Sequence, residues 1–273
     1  GIVISASHNT KEYNGIKCYG PDGGQMTEIP AAKVSAAIET IDLFEPEHLR
    51  FEEALEKGLV TYIPDSVWQD YYARISREAI YPENVKKAAL RVVYSPLCGA
   101  GGEPVSEMLT RLGAELHIPE SQRLPSGEFA SCPTPNPETD SAFDENYKLA
   151  AQCRPDIILA TDPDSDRIAA AIPVGGGFRK LSGNEMGCLL LDYILRNLKK
   201  NGTLPEKPVA VKSIVSTPLA DRIAAALGCE MRTVLTGFKY IGSVILELEE
   251  QGCPERFVLG FEESCGYLKG DYA

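Results

Sequence analysis

Arg91-Val92-Val93-Tyr94-Ser95-Pro96-Leu97-Cys98-Gly99-Ala100-Gly101-Gly102 is the stretch whose reading decides the fold. A short apolar run, Arg91 to Ser95, breaks into a loop of small residues. Glu103 to Leu112 then reads as a helix with a stop at Gly113. Leu116-His117-Ile118 returns as a strand. Strand, helix and strand in this order make a βαβ unit, because parallel strands need a crossover. Downstream, 119–140 is rich in Pro, Ser and Thr and reads as a long loop. Ser141 is placed to cap a helix through Arg154. Asp156-Ile157-Ile158-Leu159-Ala160 follows as a buried strand.

Toward the C-terminus the alternation continues. Ile168 to Ile172 and Phe178 to Leu181 flank Gly175-Gly176-Gly177, a hairpin signal. Helices are expected at 184–198, 217–227 and 239–251, and strands at 208–215, 230–235 and 256–260. The pattern predicts an α/β fold of consecutive related units, each a mixed parallel sheet covered by helices. Toward the N-terminus, Ile2-Val3-Ile4 reads as a buried strand and Gly15 to Tyr19 as a second one. Pro30 opens a helix with Val34, Ile38 and Ile41 on one face. Residues 46–90 read as charged helices, with Trp68, Tyr71, Tyr72 and Ile75 as a packing stripe. The abrupt start and end suggest a piece incomplete at both ends. Three parts are expected: 1–45, 46–167 and 168–273.

With 273 residues, 27 basic and 39 acidic, the chain carries a net charge of −12. Such a surface repels nucleic acid and anionic lipid, so neither is expected as a partner. No apolar run approaches the roughly 18 residues of a membrane span, and no signal peptide opens the chain. Eight cysteines without a Cys-x-x-Cys pair, and three histidines without zinc spacing, point to a reduced cytoplasmic protein.

Four segments carry chemistry, each where an expected strand ends or a helix begins, the edge at which open α/β sheets bind ligands. In Ser5-Ala6-Ser7-His8-Asn9-Thr10, a hydroxyl follows a strand and His8 or Asn9 can orient it. A polar Ser-rich loop without catalytic role reads the same way. In Thr161-Asp162-Pro163-Asp164-Ser165-Asp166-Arg167, three carboxylates alternate. They repel one another unless a cation offsets them, and oxygen-only donors suit Mg²⁺ or Ca²⁺ rather than zinc. Arg167 and Pro173 stand where a calcium loop counted from Asp162 needs Gly and Glu, which excludes an EF-hand. Arg167 is free to bind a phosphate oxygen. Thr236-Gly237-Phe238-Lys239-Tyr240-Ile241-Gly242 joins a strand to a helix, where backbone N–H groups favour anions and Lys239 adds a charge or a proton-transfer group. Gly260-Phe261-Glu262-Glu263-Ser264-Cys265-Gly266 offers carboxylates and a hydroxyl to a polyol, or is a capped turn. The loop Leu97 to Gly102 is read as a structural turn, since Pro104 stands where a dinucleotide loop needs Gly.

Together and in this order, the four segments resemble the α-D-phosphohexomutase family, which includes phosphoglucomutases and phosphomannomutases. The serine before His8-Asn9 resembles that family's phosphoserine, which maps to Ser7, although Thr10 replaces the usual Pro. Asp162, Asp164 and Asp166 match the metal loop, with Pro163 and Ser165 as altered spacers, and Ser7 completes the implied ligand set. Asn14-Gly15-Ile16-Lys17 also fits, which makes Lys17 a candidate general acid or base. Gly237 and Lys239 match the sugar-selecting loop, and Glu262 and Ser264 the sugar-binding loop. The resemblance implies a Mg²⁺-dependent intramolecular phosphotransferase that acts on hexose 1- and 6-phosphates through a hexose bisphosphate. It also implies that this chain holds the end of the first of four domains, then the second and third. A non-catalytic sugar-phosphate-binding module and a phosphatase using the same serine are the alternatives.

Overall fold

The computed structural model describes residues 1–42, 44 and 48–270. It opens with an antiparallel pair, β1 (Ile2–Ile4) and β2 (Ile16–Cys18), and a helix, α1 (Glu28–Ile38). The elements fall where expected but their burial does not. Ile2, Val3 and Ile4 are 70%, 40% and 61% exposed, and α1 buries no residue. Among the described residues no layer covers this ribbon, so nothing removes its apolar side chains from water. The expected division at 45/46 lies outside the described residues.

Three helices follow: α2 (Phe51–Glu56), α3 (Asp65–Ser76) and α4 (Glu83–Lys87). The aromatic stripe of α3 packs in part. Tyr72 is buried, stacked on Trp68 at 5.9 Å and covered by the Arg111 guanidinium at 4.6 Å, while Trp68 and Tyr71 keep exposed edges.

The first large sheet grows around β3 (Arg91–Ser95). Helix α5 (Gly102–Arg111) carries the chain to β4 (Glu115–His117), and α6 (Asp144–Cys153) leads into β5 (Ile157–Thr161). Both β4 and β5 pair with β3 in parallel. Ser141 does not cap α6: a 3₁₀ turn, Ser141–Phe143, intervenes, and Phe143 holds the cap position. The hairpin β6 (Ile168–Val174) and β7 (Gly177–Lys180) forms as expected, yet it belongs to this sheet. The strand order is β4-β3-β5-β6-β7, with β6 antiparallel to β5. The expected division at 167/168 therefore falls inside a hairpin. The reason is local: Asp162 N–H donates to Arg167 O at 3.3 Å and Ser165 N–H to Asp162 O at 3.0 Å. The aspartate loop is thus a tight return that delivers β6 alongside β5. The core on one face joins Val93, Ile158, Ala160, Ala169 and Ala171 to Phe143 and Ala150.

The second large sheet is built from α7 (Gly183–Asn201), β8 (Val209–Ser213), α8 (Leu219–Leu227), β9 (Glu230–Val234), α9 (Phe238–Glu250), β10 (Phe257–Phe261) and β11 (Tyr267–Leu268). Its order is β11-β10-β8-β9, parallel apart from β11. Side chains alternate across a strand. Ala210 therefore faces the cluster with Leu191 and Ala224, while Val209 and Val211 face Ile241 and Leu248. Helices thus cover both faces, and for that reason β8 and β10 are buried along their whole length, with β10 and Val209 to Val211 of β8 as apolar runs. Among the described residues no helix is long and apolar enough to cross a membrane.

Candidate active site

The carboxyl ends of β5 and β10 and the loop after β1 meet at one place. Ser7 Oγ donates to Asp162 Oδ2 at 2.8 Å, a contact between residues 155 apart in the chain. Ser5 Oγ donates to Asp164 Oδ2 at 2.8 Å and accepts from the Ser7 N–H at 2.8 Å. Ser7 itself has φ 54°, the left-handed region that non-glycine residues seldom adopt. His8 Nδ1 lies 3.2 Å from Ser7 Oγ. The His8 tautomer sets which of the two atoms donates in that contact. Burial, and then the charge of Arg167, hold the His8 imidazole below its usual value.

Lys17 closes the other side. Its Nζ lies 2.8 Å from both Asp164 Oδ2 and Asp166 Oδ2. Burial opposes its charge, but the two carboxylates outweigh burial and push the ammonium's proton affinity up. Asp162 behaves in the opposite way: burial, then the charge of Asp166, push its carboxyl far above the ordinary range. Asp164 is also penalised by burial, yet Lys17 dominates and holds it down. Oxygens from Asp162, Asp164 and Asp166 all lie within 4.8 Å of one another. Asp164 Oδ1 is buried without a hydrogen-bond partner. Crowded hard donors with one orphaned buried oxygen fit a divalent cation such as Mg²⁺.

Arg167 follows directly, with its N–H on Asp162 Oδ1 at 3.0 Å and its guanidinium on Glu138 Oε1 at 3.1 Å. The C-terminal unit reaches the same place: Ile168 N–H donates to Cys265 O at 2.9 Å. Burial pushes Glu262 up, and it senses the charges of both Arg167 and Asp166. The Gly237 N–H donates to Glu262 Oε1, with Gly237 at φ 125°, a conformation open to glycine. Ser264 is half-buried in the same loop. Ser7, His8, Lys17, the three aspartates and Arg167 are therefore brought together, with Glu262 and Gly237 beside them. Lys239 is not drawn into the aspartate cluster; its Nζ is 2.8 Å from Glu28 Oε1.

Comparison with known proteins matches three successive models of one family: phosphoglucomutase/phosphomannomutase α/β/α domain I over residues 1–45, domain II over 69–175 and domain III over 182–273. The chain belongs to the phosphoglucomutase/phosphomannomutase family. It is 35% identical over 269 residues to a phosphomannomutase of Mycoplasmoides pirum, covering 98% of this chain and 47% of that one. It is 33% identical over 272 residues to a phosphoglucomutase of Staphylococcus epidermidis, covering 98% and 48%. The chain thus spans about half the length of the curated relatives it matches. Among solved structures, a Thermus thermophilus protein assigned as a phosphomannomutase shares the fold at TM-score 0.71 and 23% identity, over 98% of this chain and 54% of that one. An Aspergillus fumigatus N-acetylphosphoglucosamine mutase, solved with GlcNAc-6P and magnesium, matches at TM-score 0.55 and 18% identity, over 98% and 60%.

Several residues around this phosphoglucomutase/phosphomannomutase-family site were not singled out by sequence. Ser5 orders both Ser7 and Asp164, and only its spacing two residues before Ser7 hinted at it. Glu138 anchors Arg167 from within a featureless loop. Glu263 accepts from Ser213 Oγ at 2.7 Å and so ties the 260–266 loop to the end of β8. The 97–102 loop, read as a structural turn, packs on the aspartate loop: Ala100 N–H donates to Pro163 O at 2.8 Å.

Proposed function

We propose that the whole protein is a phosphohexomutase that interconverts hexose 1-phosphate and hexose 6-phosphate through phospho-Ser7 and a hexose bisphosphate. The observation that carries this reading is the Ser7 Oγ to Asp162 Oδ2 hydrogen bond of 2.8 Å, which couples the hydroxyl to the acid cluster. In the forward half-reaction a sugar hydroxyl oxygen bonds to phosphorus as the bond to Ser7 Oγ breaks. The hydroxyl loses one proton and Ser7 Oγ gains one, so the step is proton-neutral. The bisphosphate then turns over in the site, and the other phosphoryl group returns to Ser7.

Each group has a task on this reading. Ser5 and His8 hold the Ser7 loop so that Oγ faces the acids. Lys17 is the candidate general acid or base; its ammonium, held charged by Asp164 and Asp166, also offsets negative charge developing on the departing Ser7 Oγ. Magnesium held by Asp162, Asp164, Asp166 and Ser7 would supply charge neutralisation as a Lewis acid. Arg167 binds a phosphate oxygen. Glu262 and Ser264 take sugar hydroxyls, and Gly237 with Lys239 borders the sugar from the start of α9. The Aspergillus relative bound to GlcNAc-6P and magnesium supports a sugar phosphate and that ion. Eight free cysteines among the described residues support a cytoplasmic, reducing location.

The test is mass spectrometry for phosphate on Ser7, together with a coupled assay on glucose 1-phosphate and mannose 1-phosphate. Ser7→Ala is expected to abolish turnover; isomerisation that survives it would remove the nucleophile. Net release of inorganic phosphate would select the phosphatase reading, and sugar-phosphate binding without turnover the module.

A further inference from the structure

Residues 262–266 join β10 to β11, and the Glu262 N–H closes this return on Gly266 O at 3.0 Å. Its side chains reach three different elements. Glu262 accepts from the Gly237 N–H at the start of α9. Cys265 is buried in the core of the first large sheet, in the cluster that holds Phe143 and Ala169. Glu263 turns to the end of β8, where its Oε2 accepts from Ser213 Oγ at 2.7 Å and lies 3.4 Å from Ser216 Oγ. The two serine hydroxyls are 2.8 Å apart, and the residues are 0% and 4% exposed. Ser216 N–H donates to Ser213 O at 3.0 Å, so one tight turn presents both hydroxyls to the same carboxylate oxygen. Hydrogen bonds to an ionised acceptor are about twice as strong as neutral ones. The first turn of α7 supports the return as well: Tyr267 Oη donates to Gly183 O at 3.2 Å, and a Cβ on Gly183 would stand 2.6 Å from Glu263 C and 2.8 Å from Cys265 N. Phosphoryl transfer as described above gives Glu263 no task.

We propose that Glu263 is a positioning residue: seated in the socket of Ser213 and Ser216, it fixes the return from which Glu262 and Ser264 reach the sugar hydroxyls. The proposal rests on the mutase reading, in which Glu262 and Ser264 take those hydroxyls. Adjacent glutamates thus do different work, because the return aims one at the start of α9 and the other at β8. A site built on a loop is less exact than one built on a strand unless its neighbours lock it. Here α7 braces the backbone of the return, and the Glu263 carboxylate ties it to a buried strand end. The socket engages Glu263 Oε2, so that oxygen serves the loop and not the sugar.

The test is steady-state kinetics of the whole protein on glucose 1-phosphate and mannose 1-phosphate, beside a Mg²⁺ titration and a thermal melt. Glu263→Ala is expected to lower kcat/KM about 10- to 100-fold, mostly through KM, and to leave Mg²⁺ affinity unchanged. Glu263→Gln, which keeps an acceptor oxygen for Ser213, is expected to recover most of the loss. The double variant Ser213→Ala, Ser216→Ala empties the socket and spares the carboxylate. It should raise KM as Glu263→Ala does, and adding Glu263→Ala to it should cost nothing more. If the emptied socket leaves KM unchanged while Glu263→Ala raises it, Glu263 touches the sugar itself and the positioning role is overturned. Wild-type kinetics of a folded Glu263→Ala variant overturn it too. A parallel fall in melting temperature and Mg²⁺ affinity marks general damage to the fold and also counts against it. In each of these cases the wild-type protein still isomerises its substrate and the mutase reading stands. A wild-type protein that isomerises neither sugar phosphate removes that reading, and this proposal with it.

Discussion

Gly99→Ala should damage the metal loop without touching any acid. A Cβ built on Gly99 would stand 2.2 Å from Pro163 Cα, 2.4 Å from Pro163 O and 2.7 Å from Pro163 C. Ordinary contact begins near 3.4 Å, so the backbone between Asp162 and Asp164 must retreat by 3.4 − 2.2 = 1.2 Å. The obstacle is backbone, which cannot swing aside like the end of a long side chain. Gly99 does not occupy the left-handed region, so its conformation is open to alanine and the effect is purely steric. Overpacking of this kind costs about 1–3 kcal/mol of stability. A displacement near 1 Å in a catalytic constellation costs about 10²-fold in rate, and a disturbed support shell about 10- to 100-fold in metal affinity. Gly127→Ala, which meets nothing within 4 Å, is the matched control. The assays are a Mg²⁺ titration by calorimetry, a thermal melt and the coupled mutase assay. If Gly99→Ala binds Mg²⁺ and melts like Gly127→Ala, the 97–102 loop does not brace the aspartates and this reasoning fails.

Two further outcomes follow from the same coordinates. Asp164→Asn removes the charge of the carboxylate that Lys17 and Ser5 already engage; Mg²⁺ affinity should drop by at least about tenfold, and an unchanged titration would end the metal assignment. Burial pushes the thiols of Cys132, Cys229 and Cys265 up to about 12, 11 and 11. Their contribution to stability is fully present below the unfolded thiol value of about 8.5 and is lost as pH rises through the folded values. At pH 8 they should resist a thiol reagent that labels Cys18, and rapid labelling of all three in the folded protein would contradict the burial seen here.

Much of the fold was legible because burial on both faces leaves a plain signature. The β10 run and the first three residues of β8 are apolar, and the glycines at 113, 202 and 228 stop helices by entering the left-handed region. The aspartate loop was legible because three carboxylates at alternate positions are costly without a cation. The hairpin at 168–180 was misassigned because turn signals say which strands join, never which sheet receives them; the decision lay in the tight return at 162–167. Burial of β1 and α1 was misread because amphipathic spacing states what a segment can bury, not whether a partner layer is there.

By itself the chemistry of the residues determined the element order, the four chemistry-bearing loops and the family they resemble, since all of these depend on spacing within a few residues. Only the tertiary structure decided which loops share one place. Ser7 meets Asp162, Lys17 meets Asp164 and Asp166, and Lys239 turns to Glu28 instead. Those pairings follow from strand order and from which carboxylates compete for each cation. Charges far apart in the chain choose partners by distance in space, and spacing along the sequence carries no record of it.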